Sequence, residues 1–67
     1  MKLIINGETV DVPDKISVVE ELLHHYELMD RVVMVELNKE VIDHEDHKTQ
    51  AIGENDSIQL VQFVGGG

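Results

Sequence analysis

Helical periodicity appears once in this chain. Val19, Leu22, Leu23 and Tyr26 fall at i, i+3, i+4 and i+7, one apolar face of a helix. The clearest of the other apolar segments alternate with polar residues, the period of half-buried strands. One helix can cover only one side of a sheet. The chain is therefore expected to be α+β, with a single helix packed on one face of a mixed sheet and the other face largely open to solvent. Its 67 residues allow one domain with a small core.

Lys2 to Asn6 reads as a strand that turns at Asn6-Gly7, because both residues tolerate the positive φ of a type I′ turn. Glu8 to Val12 alternates as a second strand, which Pro13-Asp14-Lys15 ends. Ser17 is expected to open the helix, with Glu20 completing an S-x-x-E capping box. The helix should fade between Leu28 and Asp30. Arg31 to Leu37 is the most β-like stretch, with Val33, Val35 and Leu37 on one side and Val32, Met34 and Glu36 on the other. Asn38-Lys39-Glu40 is a turn, Val41-Ile42 a short strand, and Asp43 to Gln50 a helical turn or loop. Gly53-Glu54-Asn55-Asp56 turns into a final strand, Ser57 to Val64. There Ile58 and Leu60 face the core, and Gln59, Val61 and Phe63 face away. A four- to five-stranded sheet results, with the first and last strands side by side at its centre. The helix face of Val19, Leu22, Leu23 and Tyr26 is expected to pack on Leu3, Ile5, Val33, Val35, Ile58 and Leu60.

The final strand runs straight into Gly65-Gly66-Gly67. Three glycines add nothing to a core, and ordering them costs the most entropy. They do suit a narrow channel in a partner that must reach a terminal carboxylate. Extended, they would carry that carboxylate about 10 Å past the last packed side chain. The plain alternative is a frayed end. The chain thus divides into a β-rich domain over 1–64 and a flexible glycine tail over 65–67.

Composition removes several classes of function. There is no cysteine, so disulfides and thiolate metal sites are excluded, and the chain cannot supply its own sulfur nucleophile. Tyr26 and Phe63 are the only aromatics, thin material for stacking bases. Fourteen acidic residues against five basic ones give a net charge of −9. Such a surface repels phosphate backbones and anionic membranes, so neither nucleic acid nor membrane is expected as a partner. It keeps a small protein soluble and also suits a basic patch on a protein partner. Asn6-Gly7 breaks the first apolar run too early for a signal peptide, and no run approaches membrane-spanning length, so the cytoplasm is the expected location.

No side chain stands out as catalytic. His44 and His47, in the acidic run from Asp43, have the spacing of two ligands on a helical turn, but no third histidine lies near. They read as surface polarity, and no metal site is expected. His24-His25 and Glu20-Glu21 read as a solvated helix face, Ser17 as a cap and Ser57 as a strand start. On the uncovered side of the sheet, Val32, Met34, Val61 and Phe63 would cluster across neighbouring strands beside the glycines. Scattered exposed apolar residues are ordinary. A cluster next to a tail favours a surface where a partner docks.

Several features together resemble one family. These are the N-terminal strand with Asn6-Gly7, the single capped helix, Val35-Glu36-Leu37-Asn38 followed by Glu40-Val41, the turn at 53–56, and terminal Gly66-Gly67. They resemble the ubiquitin-like β-grasp sulfur carriers of the ThiS type, across essentially the whole chain. Gly65 departs from the pattern, since many members carry another small or apolar residue there. The resemblance implies a carrier and not an enzyme. An adenylating (ThiF-type) enzyme would use ATP to activate the carboxyl group of Gly67. A sulfur donor would convert it to a thiocarboxylate, and a thiazole synthase (ThiG-type) would consume the sulfur. Gly65 and Gly66 would form the tail that enters the partner's active site. No cofactor would be bound, and the carrier would be a monomer on its own. A molybdopterin-synthase-type small subunit, a protein modifier that forms an amide with lysine, and an interaction module with an irrelevant tail are the alternatives.

Overall fold

Two tight turns at positive φ organise the sheet. Asn6 and Gly7, at φ 51° and 85°, join β1 (Lys2–Ile5) to β2 (Glu8–Asp11). Asn38 and Lys39, at φ 49° and 72°, join β3 (Val33–Leu37) to β4 (Glu40–Ile42). Two-residue turns of this hand match the right-handed twist of the strands they connect. In the computed structural model, which describes residues 1–63, these two hairpins flank β5 (Ser57–Gln62). The strand order is β2-β1-β5-β3-β4. β5 runs parallel to β1, with Ile5 opposite Ile58, and antiparallel to β3, with Val35 opposite Leu60. The first and last strands are therefore neighbours inside a mixed sheet, as the order of elements led us to expect. β5 was expected to reach Val64, which lies outside the described residues, as do Gly65, Gly66 and Gly67.

The helix, α1 (Val19–His25), starts two residues later than Ser17. Val18 is its N-cap and has no side-chain acceptor to offer. The capping role expected of Ser17 with Glu20 is displaced by one residue. Glu21, at the third helical position, reaches back and accepts from the Ser17 backbone N–H at 2.8 Å, the Ser17 hydroxyl at 2.9 Å and the Val18 N–H at 3.2 Å. The remaining free donors of the first turn are met by distant backbone. Val19 N–H donates to the Gln50 carbonyl at 3.0 Å, and Glu20 N–H to the His47 carbonyl at 2.8 Å. Helix ends need such partners because their first N–H groups have none within the helix. Here the segment from His44 to Ala51 supplies them, with a single 3-10 turn at His44–Asp46 and a bridge between Val18 and Ala51.

At the other end the helix closes with a Schellman motif. Leu28 N–H donates to the Leu23 carbonyl at 2.8 Å and Glu27 N–H to the His24 carbonyl at 3.0 Å. Glu27 takes the left-handed conformation this motif requires, at φ 58°. The helical face ends there, and Tyr26 becomes the C-cap, 39% exposed. It does not join Val19, Leu22 and Leu23 in the core as its spacing suggested. The core that does form contains Leu3, Ile5, Val35, Leu37 and Ile58 from the sheet, with Val33 and Leu60 half-buried against it. Val12, Ile16, Ile42 and Ile52 close it from the loops and the edge.

Two predictions arise from the helix ends. Glu27→Gly should raise stability by up to about 1 kcal/mol, since glycine adopts φ > 0 without the Cβ penalty and nothing in the motif uses the glutamate side chain. Urea unfolding of the two proteins measures this. The second concerns pH. The Ser17 backbone N–H, the Ser17 hydroxyl and the Val18 N–H hold the Glu21 carboxyl below its ordinary value of 4.5. A lowered folded value means stability that is present above the unfolded value and lost as pH falls through the folded one. Glu21→Gln should therefore unfold with a shallower decline in melting temperature below pH 4.5 than the parent.

Candidate functional site

The sheet face turned away from α1 changes character along β5. Toward the start of the strand it carries Ser57 and Gln59, with Gln59 opposite Glu36 of β3. Toward its end it carries Val61, directly opposite Met34. One pair further on, Phe63 N–H donates to the Val32 carbonyl at 3.0 Å. The alternation of side chains places Val32, Met34, Val61 and Phe63 on this same face. Val32 is 70% exposed and Phe63 57% exposed, while Met34 and Val61, the next pair along the same face, are half-buried. The four apolar residues picked out in the sequence are thus brought together at the end of the central strand. Val41, also exposed, stands opposite Glu36 on β4 and widens the apolar area toward the sheet edge. Sequence reading had placed Val41 in a strand without assigning it a side.

Val32, Met34, Val61 and Phe63 carry no titratable group, and Glu36 borders them on the side of Val41, so the four residues offer contact area and not acid–base chemistry. The residues expected to carry chemistry, Gly65, Gly66 and Gly67, lie outside the described residues.

The histidines are arranged differently from the expectation. His44 is exposed, but His47 is only 4% exposed, with its Nε2 placed 3.3 Å from the Ile42 carbonyl. It is a satisfied interior side chain and not surface polarity. The two rings meet edge to face, with centroids 5.3 Å apart. Among the described residues no group of three or more metal-ligating side chains is gathered. His47 takes this place because its own carbonyl serves as an acceptor for the start of α1, which draws residue 47 inward.

A β-hairpin, one helix and a central last strand, with an apolar face beside the outgoing end of the chain, define a ubiquitin-like β-grasp protein. The ThiS family model matches residues 3–67, and the chain belongs to that family. It is 37% identical over 63 residues to the sulfur carrier protein ThiS of Bacillus subtilis, covering 94% of this chain and 96% of that one. It is also 36% identical over its full length to a thiazole synthase of Paramagnetospirillum magneticum, of which it spans 20%. The crystal structure of the thiamine biosynthesis protein ThiS from Geobacter metallireducens superposes with a TM-score of 0.81 at 33% identity, with both chains fully covered. The solution structure of a thiamine biosynthesis protein from the same organism gives 0.83 at 33% identity, covering all of this chain and 88% of that one.

The contrast between the two histidines is testable. His47→Ala should cost about 1–3 kcal/mol, because it leaves the Ile42 carbonyl and a core position unfilled. His44→Ala, on the surface, should change stability by less than about 0.5 kcal/mol. Thermal unfolding of both variants provides the comparison.

Proposed function

We propose that this chain is a sulfur carrier in thiamin (thiazole) biosynthesis, acted on by partner enzymes and with no catalytic side chain of its own. The carrying observation is the apolar patch at the end of β5, the strand that leads into Gly65-Gly66-Gly67. The Bacillus relative named as a sulfur carrier supports the reading. So does the thiazole synthase that contains a segment like this chain, since it ties the fold to the enzyme that would consume the sulfur.

The chemistry explains why a carrier of this form is needed. At neutral pH the Gly67 carboxylate is anionic and resonance-stabilised, and so a poor electrophile. An adenylating enzyme of the ThiF type would join it to the α-phosphorus of ATP and release pyrophosphate. The acyl-adenylate then carries AMP as a good leaving group. A sulfide sulfur attacks the carbonyl carbon, the C–O bond to AMP breaks, and a thiocarboxylate remains. Its sulfur is a soft nucleophile on a protein handle, ready for a thiazole synthase of the ThiG type. Val32, Met34, Val61 and Phe63 would seat the carrier on the adenylating enzyme, and Gly65 and Gly66 would pass through its channel. ATP belongs to the partner, and the carrier itself needs no bound cofactor. No helix among the described residues is long and apolar enough to cross a membrane.

Phe63→Ala should weaken binding to the adenylating enzyme while changing stability by less than about 0.5 kcal/mol, as its side chain is exposed. A binding titration beside a melting curve reads both; equal affinity would remove Phe63 from the interface. Gly66→Val should leave melting unchanged and abolish ATP–pyrophosphate exchange, because a β-branched residue stiffens and widens the main chain. Exchange at the parent rate would mean that the partner does not grip the tail. Intact mass of the parent after incubation with the adenylating enzyme, ATP and a sulfide source distinguishes the carrier from a protein modifier. The carrier gains the mass of one oxygen-for-sulfur exchange, and a modifier forms a conjugate.

A further inference from the structure

β1 ends at Ile5, whose partner across the parallel ladder is Ile58. Among the described residues, β5 continues through Leu60 and Gln62 without a strand beside it on that side. The place is taken by a side chain. Asn6 Oδ1 accepts from the Leu60 N–H at 2.8 Å, and Asn6 Nδ2 donates to the Leu60 carbonyl at 3.3 Å. A primary amide presents one acceptor and donors in one plane, as a peptide group does. The Asn6 side chain therefore stands in for the peptide that β1 would have supplied one step further on.

A turn at φ 51° accounts for asparagine at this position only in part. Glycine would satisfy the backbone better. What glycine lacks is the pair of bonds to a residue 54 positions away. Those bonds fall where support is thinnest. Ile58 is 1% exposed, but Leu60 is only half-buried, beneath a groove of about 330 Å³ between the β1–β2 turn and the end of α1. Asn38, in the other hairpin turn, does the same at the start of β5. Its Oδ1 accepts from the Ser57 N–H at 3.0 Å, and its Nδ2 donates to Asp56 Oδ1 at 3.2 Å. The two turns thus hold the central strand by asparagine side chains, at its start and again at Leu60.

We infer that Asn6 is a positioning residue for the outgoing end of β5, fixing the direction in which the chain leaves Leu60 toward the patch and the glycines. This rests on the carrier reading for its effect on activation, and on geometry alone for its effect on the strand. Two variants separate the contributions. Asn6→Gly keeps the turn and removes both side-chain bonds. Asn6→Asp keeps the acceptor for the Leu60 N–H and replaces the donor with an oxygen facing the Leu60 carbonyl.

Amide hydrogen exchange should show Leu60 losing protection in Asn6→Gly while Ile58 keeps it, with Asn6→Asp in between. In ATP–pyrophosphate exchange with the adenylating enzyme, the KM for the carrier should rise at least about two- to tenfold in Asn6→Gly, the factor that corresponds to one of the two hydrogen bonds lost. kcat should hold, and Asn6→Asp should recover part of the loss. Unchanged protection at Leu60 in Asn6→Gly overturns the inference. Lost protection with an unchanged KM shows that the bonds order the strand without positioning the carrier, and overturns it as well. A parent chain that supports no exchange defeats the carrier reading and the role in activation with it, while Leu60 protection still decides whether the clamp exists.

Discussion

The parallel pairing of β1 with β5 is the contact on which the rest of the molecule depends. It joins the first strand to the last and makes each the inner member of a hairpin-bearing half. A parallel pair cannot be closed by a tight turn and needs a crossover. Everything between Asp11 and Val33 is that crossover's first part, and α1 lies within it. The helix covers the sheet because Leu3, Ile5 and Ile58 all present their side chains to it across this one join. Remove the pairing and the sheet splits into the β1–β2 hairpin, which is too small to be stable alone, and a three-stranded β5-β3-β4 piece cut off from Leu3 and Ile5 of the core.

The join also decides which face is free. Alternation in β5 sends Ile58 and Leu60 toward α1 and Val61 and Phe63 away from it. A one-residue slip would exchange the two sets and bury the patch. Register is defended at several points. Asp56 Oδ2 accepts from the Gly53 N–H at 2.7 Å, Asn55 N–H donates to the Lys2 carbonyl at 2.7 Å, and the two turn asparagines grip the strand at Ser57 and Leu60. The apolar patch and the core are thus specified by the same set of bonds.

Strand identity, the order of elements and the apolar patch were legible because they depend on period and on turn chemistry. Alternation in Val33–Leu37 and Ser57–Gln62, and the Asn-Gly turn, carry that information locally. Local pattern failed where long-range contacts decide. Ser17 and Glu20 fit a capping box, but the Gln50 and His47 carbonyls cap the helix start and leave Glu21 to reach back. Tyr26 continues the apolar face on paper, and the left-handed Glu27 ends the helix before it can pack. Ile16 and Ile52 lie in segments with no period, so nothing marked them as core. His47 looked like its exposed neighbour His44 because only the fold turns its ring toward Ile42. The side-chain bonds of Asn6 and Asn38 span 54 and 19 residues, beyond the reach of any local rule.

The central position of β5 has a consequence for synthesis. A nascent chain that has not yet emerged past Ser57 lacks the strand that joins its two hairpins, and it cannot assemble the sheet. Sequence-distant pairing of this kind also folds slowly compared with local contacts, because the loop must close before the contacts reward it. The folded surface that a partner would recognise therefore comes into being only after the segment leading to the glycines has been made. An interrupted translation product would lack both the assembled sheet and the apolar patch, so the topology itself keeps an incomplete chain from presenting that face.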